Sequence, residues 1–156
     1  MIKMKLESTS EATKLGIKAE TIVHNYLTRN NWVVTSRSKI KGRKTGFDFR
    51  AEKDGQVMLI EVKGTKYDFK VPDLHETEFD PMRKRFVATH LFVVGNLGAS
   101  NPPILSIVKT DDIHKKLASG EIEVKKKIVV KGYKFNKVKD MASQAILTKS
   151  DYEKII

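Results

Sequence analysis

The chain predicts one α/β or α+β domain, on three observations. An apolar stripe at helical spacing lies near the N-terminus, an alternating run broken by Asp54-Gly55 follows it, and short apolar strands then mix with further helix signals. Leu15, Ala19, Ile22, Val23, Tyr26 and Leu27 place an amphipathic helix over about Glu11 to Arg29, ended by Asn30-Asn31. Trp32 to Thr35, aromatic and β-branched, reads as a first strand. Ser36 to Gly46 is polar, basic and glycine-containing, hence a loop. Phe47 to Glu52 and Val57 to Val62 alternate on either side of Asp54-Gly55, the signature of a β-hairpin. Glu76 to Ala88 is expected as a helix, with Pro81 near its start or kinking it. His90 to Val94 and Ile104 to Val108 read as strands, and Asp111 to Leu117 as a short helix closed by Gly120. Ile122 to Phe135 offers one or two basic strands, and Ser150 with Glu153 suggests a capping box for a last turn.

With 156 residues, 40% hydrophobic and 31% charged, the chain has the size and composition of one folded domain. No apolar run reaches the ~20 residues that cross a bilayer, and Met1 to Glu7 lacks the apolar stretch of a secretion signal. A cytoplasmic protein without a membrane association is therefore expected. Cysteine is absent, which excludes disulfides and thiolate metal sites. The net charge of +11 favours a polyanionic partner, since neutralised phosphates release counterions.

The hairpin carries the chemistry. With Asp54-Gly55 at the turn, Ala51 faces Met58, Phe49 faces Ile60 and Phe47 faces Val62, so one face is wholly apolar and must be core. The opposite face pairs Arg50 with Leu59, Asp48 with Glu61 and Gly46 with Lys63. Opposed side chains have Cβ atoms about 4.5–5.5 Å apart, and two carboxylates there need a raised pKa, a cationic neighbour or a bound cation. Lys63 is on the same face. Two carboxylates and an ammonium suit Mg2+-assisted phosphodiester cleavage: the acids hold the metal, and the lysine orients or deprotonates water and balances charge. An isolated Glu-x-Lys is common on solvated strands; the cross-strand aspartate and the apolar Val57 and Leu59 beside it distinguish this one.

These residues resemble the PD-(D/E)XK nuclease superfamily, with Gly46-Phe47-Asp48 followed by Glu61-Val62-Lys63-Gly64-Thr65. The proline of the family's name is missing before Asp48, as in many members. From Gly16 to Gly64 the chain is similar to archaeal Holliday-junction resolvases and Mrr-type restriction nucleases. Ile60 to Thr65 together with His90 to Asn96 is similar to the C-terminal domain of the NO VEIN proteins. The resemblance covers about residues 11 to 110, leaving 111–156 as a C-terminal extension within a single nuclease-like domain. It implies a restriction-endonuclease-like fold, a mixed central β-sheet flanked by helices. It also implies a site in which Asp48, Glu61 and the Val62 carbonyl surround Mg2+ or Mn2+, Lys63 stands by the attacking water, and Glu20 on the preceding helix adds a metal-site carboxylate. Arg37, Lys39, Lys41, Arg43 and Lys44 would reach the DNA backbone beside the cut, with Ser36 and Ser38 as weaker contacts. The later lysines, Lys125 to Lys127, Lys131, Lys134, Lys137 and Lys139, would extend that track or simply keep the surface solvated. Glu76 and Glu78 lie close enough downstream of Lys63 to approach the site. A homodimer would suit two-ended cuts, though no segment identifies an interface.

The expected activity is thus a metal-dependent DNA endonuclease. A catalytically silent nuclease-like protein that binds nucleic acid or acts as a scaffold is the alternative, and a binding protein with a coincidental Glu-x-Lys is the third. Retention of Asp48, Glu61 and Lys63 together counts against a silent copy. His24 is expected on the exposed side of its helix, and His75, His90 and His114 lack metal-ligand spacing.

Overall fold

The protein is described from a computed structural model, which covers residues 10–36, 46–69, 73–75, 78–80, 82–98, 100–127, 132–135 and 138–153, with backbone alone for 73–75, 124–127 and 132–134. Helix α1 (Glu11–Arg29) begins where Ser10 Oγ accepts the Thr13 N–H at 3.2 Å, a side-chain cap for an otherwise orphaned donor. Strands β1 (Val33–Ser36), β2 (Phe49–Lys53) and β3 (Gln56–Gly64) follow. Asp54 and Gly55 both have positive φ, 50° and 78°, as a two-residue hairpin turn requires. The hairpin register is the one the apolar face predicts, with Phe49 opposite Ile60, Ala51 opposite Met58 and Lys53 opposite Gln56.

Next come β4 (Asp73–His75), β5 (Phe79–Asp80), β6 (Arg85–Phe86), β7 (His90–Gly95), β8 (Ile104–Lys109) and α2 (Thr110–Ser119), which is closed by left-handed Gly120. The C-terminal part adds β9 (Val124–Lys127), β10 (Gly132–Phe135), β11 (Ser143–Ala145) and α3 (Lys149–Tyr152). Six strands form the central sheet in the order β1-β2-β3-β7-β8-β11, in which β3 and β7 run parallel and every other neighbouring pair is antiparallel. A mixed sheet flanked by helices results, compatible with a restriction-endonuclease-like fold.

Both faces of the sheet are covered. On one, Ala19, Ile22, Val23 and Leu27 of α1 pack against Phe49, Ala51, Ile60, Val62, Phe92 and Val94. On the other, Leu91 and Val108 meet Phe79, Phe86, Phe135, Ile113 and Leu117. Strand β7 is enclosed on both sides, which is why its sequence is a continuous apolar run rather than an alternating one.

Two expectations fail here. The described part of Glu76 to Ala88 is a small hairpin, β5 paired with β6, not a helix. Asp80 Oδ1 accepts the N–H groups of Met82 and Arg83, which fixes a turn, and Phe79 and Phe86 pack edge-to-face at 5.1 Å across it. The last capping box is built by Thr148 and Asp151, not by Ser150 and Glu153. Asp151 is 1% exposed and also receives Arg29 Nε and a terminal guanidinium nitrogen at 3.0–3.2 Å, pinning α3 to the end of α1. Asp151→Ala removes both the cap and the pair, so we expect a loss of about 2–3 kcal/mol in urea unfolding, between a lost cap and a fully buried pair. A loss under ~0.5 kcal/mol would contradict that role.

Candidate active site

Alternation on β3 sends Ile60 and Val62 toward α1, and Glu61 and Lys63 to the opposite face. Hairpin β5–β6 covers that face and brings an additional acid. Lys63 Nζ lies 3.2 Å from Glu61 Oε1 and 3.1–3.2 Å from both oxygens of Glu78. Proximity in sequence places Glu78 near the site; the hairpin is what delivers it.

Asp48 departs from simple cross-strand pairing. Regular pairing stops at Phe49 and Ile60, because Gly46 takes a positive φ of 74° and the chain bends before β2 begins. The Asp48 N–H donates to the Ile60 carbonyl at 2.7 Å, and its Oδ2 accepts the Val62 N–H at 2.8 Å. The carboxylate thus takes the place of a strand-partner carbonyl and is held at the edge of β3, between the two residues of the Glu-x-Lys pattern.

Asp48 is 9% exposed and Glu61 4%. Burial, only partly opposed by the Lys63 ammonium, pushes the Glu61 carboxyl up to about 9, with the charges of Asp48 and Glu78 adding to the rise. The Lys63 ammonium is held above its usual range, because its two carboxylate partners outweigh its own desolvation. Glu61 Oε2 is buried and has no hydrogen-bond partner among the described residues. Such an oxygen calls for a proton or a cation.

The donor set fits a hard divalent ion. Mg2+ is bound through one or two carboxylates and keeps several waters or substrate oxygens, and Asp48 and Glu61 are two buried carboxylates of that kind. No three of the His, Asp and Glu residues among those described gather closely enough to hold a metal by themselves. Glu20 is not brought into such a group; it is exposed, on a shallow groove with Ile17, Thr21, His24 and Phe49. His24 is exposed as expected and leans on the Phe49 ring at 6.0 Å. Arg37, Lys39, Lys41, Arg43 and Lys44, with Ser38 and Glu76, lie outside the described residues. So do Lys131 and Lys137, and the side chains of Lys125, Lys126, Lys127 and Lys134. Lys139 pairs with Asp68 at 3.4 Å.

No described helix is long and apolar enough to cross a membrane. No curated protein and no solved structure matches the chain significantly. One family model does, described as Protein NO VEIN, C-terminal, and it spans residues 17–107, more than half of the chain, including Asp48, Glu61 and Lys63. The chain therefore belongs to the NO VEIN C-terminal family, which is related to PD-(D/E)XK-like nucleases.

Proposed function

We propose that the protein is a metal-dependent endonuclease that hydrolyses DNA phosphodiesters at Asp48, Glu61 and Lys63. The observation that carries this reading is Glu61 Oε2, buried and without a hydrogen-bond partner among the described residues, set beside a second buried carboxylate and the half-buried Lys63 ammonium at the end of β3. Asp48, Glu61 and the Val62 carbonyl would hold Mg2+ or Mn2+. When bound, that ion polarises the scissile phosphate and lowers the pKa of water. Asp48 is pre-oriented by the Val62 N–H, so its position costs no reorganisation when substrate arrives. Glu61, ionised in the loaded site, turns Lys63 toward the reacting phosphate, where the ammonium orients the attacking water and offsets developing charge. Glu78 holds Lys63 from the other side and limits its swing. The chain's surplus of positive charge supplies the sequence-independent attraction to DNA.

Purified protein incubated with plasmid, single-stranded and four-way-junction DNA should cut in Mg2+ or Mn2+, not in EDTA, and Asp48→Ala should cut no faster than background. Cleavage that persists in EDTA, or in Asp48→Ala, would refute the assignment.

A second reading has its own support. Lys63 is clamped between Glu61 and Glu78 at 3.1–3.2 Å without any metal, as in a structural ion cluster. Under that reading the domain is a silent nuclease-like binder or scaffold, and the same assay shows DNA retention without cutting.

A further inference from the structure

At the opposite end of β3 from Lys63 the sheet opens into a cleft of about 640 Å³, within the ~300–1,000 Å³ typical of ligand sites. Val57 and Val87 line it, 45% and 43% exposed, with Trp32 beside them. Arg85 and Lys109 stand on the same cleft, both exposed, and neither forms an ion pair among the described residues. The acid there, Asp111, is engaged with His114 Nδ1 at 3.3 Å, and His114 Nε2 accepts the Phe86 N–H, so this imidazole is already committed. His90 offers a ring edge instead: its Nδ1 meets Thr89 Oγ1 at 2.8 Å while Nε2 has no partner among the described residues. Helix α2 begins at this cleft with no side-chain cap on its first-turn amides, and Asp111 and Asp112 stand in that turn.

We infer that this cleft binds an unpaired nucleotide, with the base against Val57, Val87 and Trp32 and the phosphate on Arg85 and Lys109. An apolar lining beside two cations that form no ion pair among the described residues fits a ligand that is aromatic at one end and anionic at the other. Size and charge agree with that ligand better than with a purely apolar one, which would leave two cations idle at its edge. Val57 is on the same sheet face as Glu61, four residues away along β3, or about 13 Å. That distance is roughly four stacked nucleotides at ~3.4 Å each. A strand seated here would therefore also reach the carboxylates; that the nucleotide belongs to a strand rests on the nuclease reading, whereas binding of a free nucleotide does not. Hairpin β5–β6 joins the two places, since Glu78 contacts Lys63 while Arg85 lines the cleft, and the Val87 N–H donates to the Glu78 carbonyl at 3.1 Å.

Trp32 is the single tryptophan of the chain, so its fluorescence reports on this cleft. The full chain in EDTA is titrated with deoxyadenosine monophosphate, deoxyadenosine, inorganic phosphate and a short single-stranded oligodeoxynucleotide. A saturable fluorescence change with the monophosphate or the oligonucleotide is expected. It should weaken at least tenfold for deoxyadenosine and for the double variant Arg85→Gln, Lys109→Gln, whose sites are exposed and whose folding is checked by thermal melting. Val87→Asp should block binding independently. A response to the oligonucleotide alone identifies a strand as the source, and one to the monophosphate alone identifies a free nucleotide. The titration is run in EDTA, where no cleavage occurs, so failure of cleavage and failure of this cleft are read separately. Equal binding by the double variant overturns the proposal. So does the absence of any change in Trp32 fluorescence and in the methyl resonances of Val57 and Val87.

Discussion

Glu61→Gln is expected to lower metal-dependent cleavage by about 10²–10⁴-fold, the range lost with a positioned catalytic group, and to flatten the pH dependence of stability. In the folded, metal-free protein the Glu61 carboxyl is pushed from its ordinary 4.5 up to about 9, because burial outweighs the nearby ammonium. A group whose pKa is raised on folding binds its proton more tightly in the native state. Its contribution is therefore fully present below pH 4.5 and is lost progressively as pH climbs through about 9. Lys63, held above its usual range, keeps its charge across that window and contributes no opposing slope. Melting temperature in EDTA should accordingly fall between these limits for the wild type and stay flatter for Glu61→Gln, whose amide does not titrate. Mg2+ should recover wild-type stability at the alkaline end, where ionised Glu61 most needs a cation, and should do little for the variant. Parallel melting curves for the two proteins, or equal stabilisation by Mg2+, would show that Glu61 is not the buried titrating ligand.

The sheet was legible where its two faces differ in polarity. From Phe49 to Val62 one face is apolar and the other is not, so a register shifted by one residue would expose the whole apolar set; only one pairing survives, and the structure has it. The same argument put Glu61 and Lys63 on the face away from α1. It did not foresee the fine placement of Asp48, because alternation assumes a regular ladder. A positive φ at Gly46 ends that ladder two residues early and turns the carboxylate toward the Val62 N–H.

Hairpin β5–β6 was illegible for a different reason. Its strands hold only two residues each, too few for any period to show, and Phe79 and Phe86 are held by Phe135, which is distant from both in sequence. Without that hairpin the contact of Glu78 with Lys63 could be guessed from proximity alone. The pairing of Asp151 with Arg29 spans nearly the whole chain, so nothing local marks it; the short-range Ser150 and Glu153 pattern pointed two residues away from the true cap.

The loop that leaves the Glu-x-Lys strand offers the most severe test of packing. Past Gly64 the chain folds back over the end of β7: the Thr65 N–H donates to the Val94 carbonyl at 2.9 Å, the Asn96 N–H to the Tyr67 carbonyl at 2.7 Å, and the Leu97 N–H to the Thr65 carbonyl at 3.1 Å. These bonds bring the Tyr67 and Asp68 carbonyls against Gly95 so closely that a Cβ there would overlap the Asp68 oxygen and stand 2.7 Å from the Tyr67 oxygen. Neither obstacle is a side chain that could rotate away. Gly95→Ala must displace backbone, which breaks the loop bonds or parts the end of β7 from its neighbours. We expect a destabilisation at or above ~3 kcal/mol, the upper end for overpacking, read as a shift in urea midpoint at unchanged m-value. Gly64→Ala meets a milder obstruction, the Leu15 carbonyl at 2.8 Å and two apolar carbons at 2.9–3.0 Å, so it should destabilise less than Gly95→Ala. Because residue 64 follows Lys63 directly, pressing it away from α1 should cost more in cleavage than in stability. If Gly95→Ala folds as firmly as the wild type, the loop does not lie against β7 as described, and the support it gives to the lysine end of β3 is lost with it.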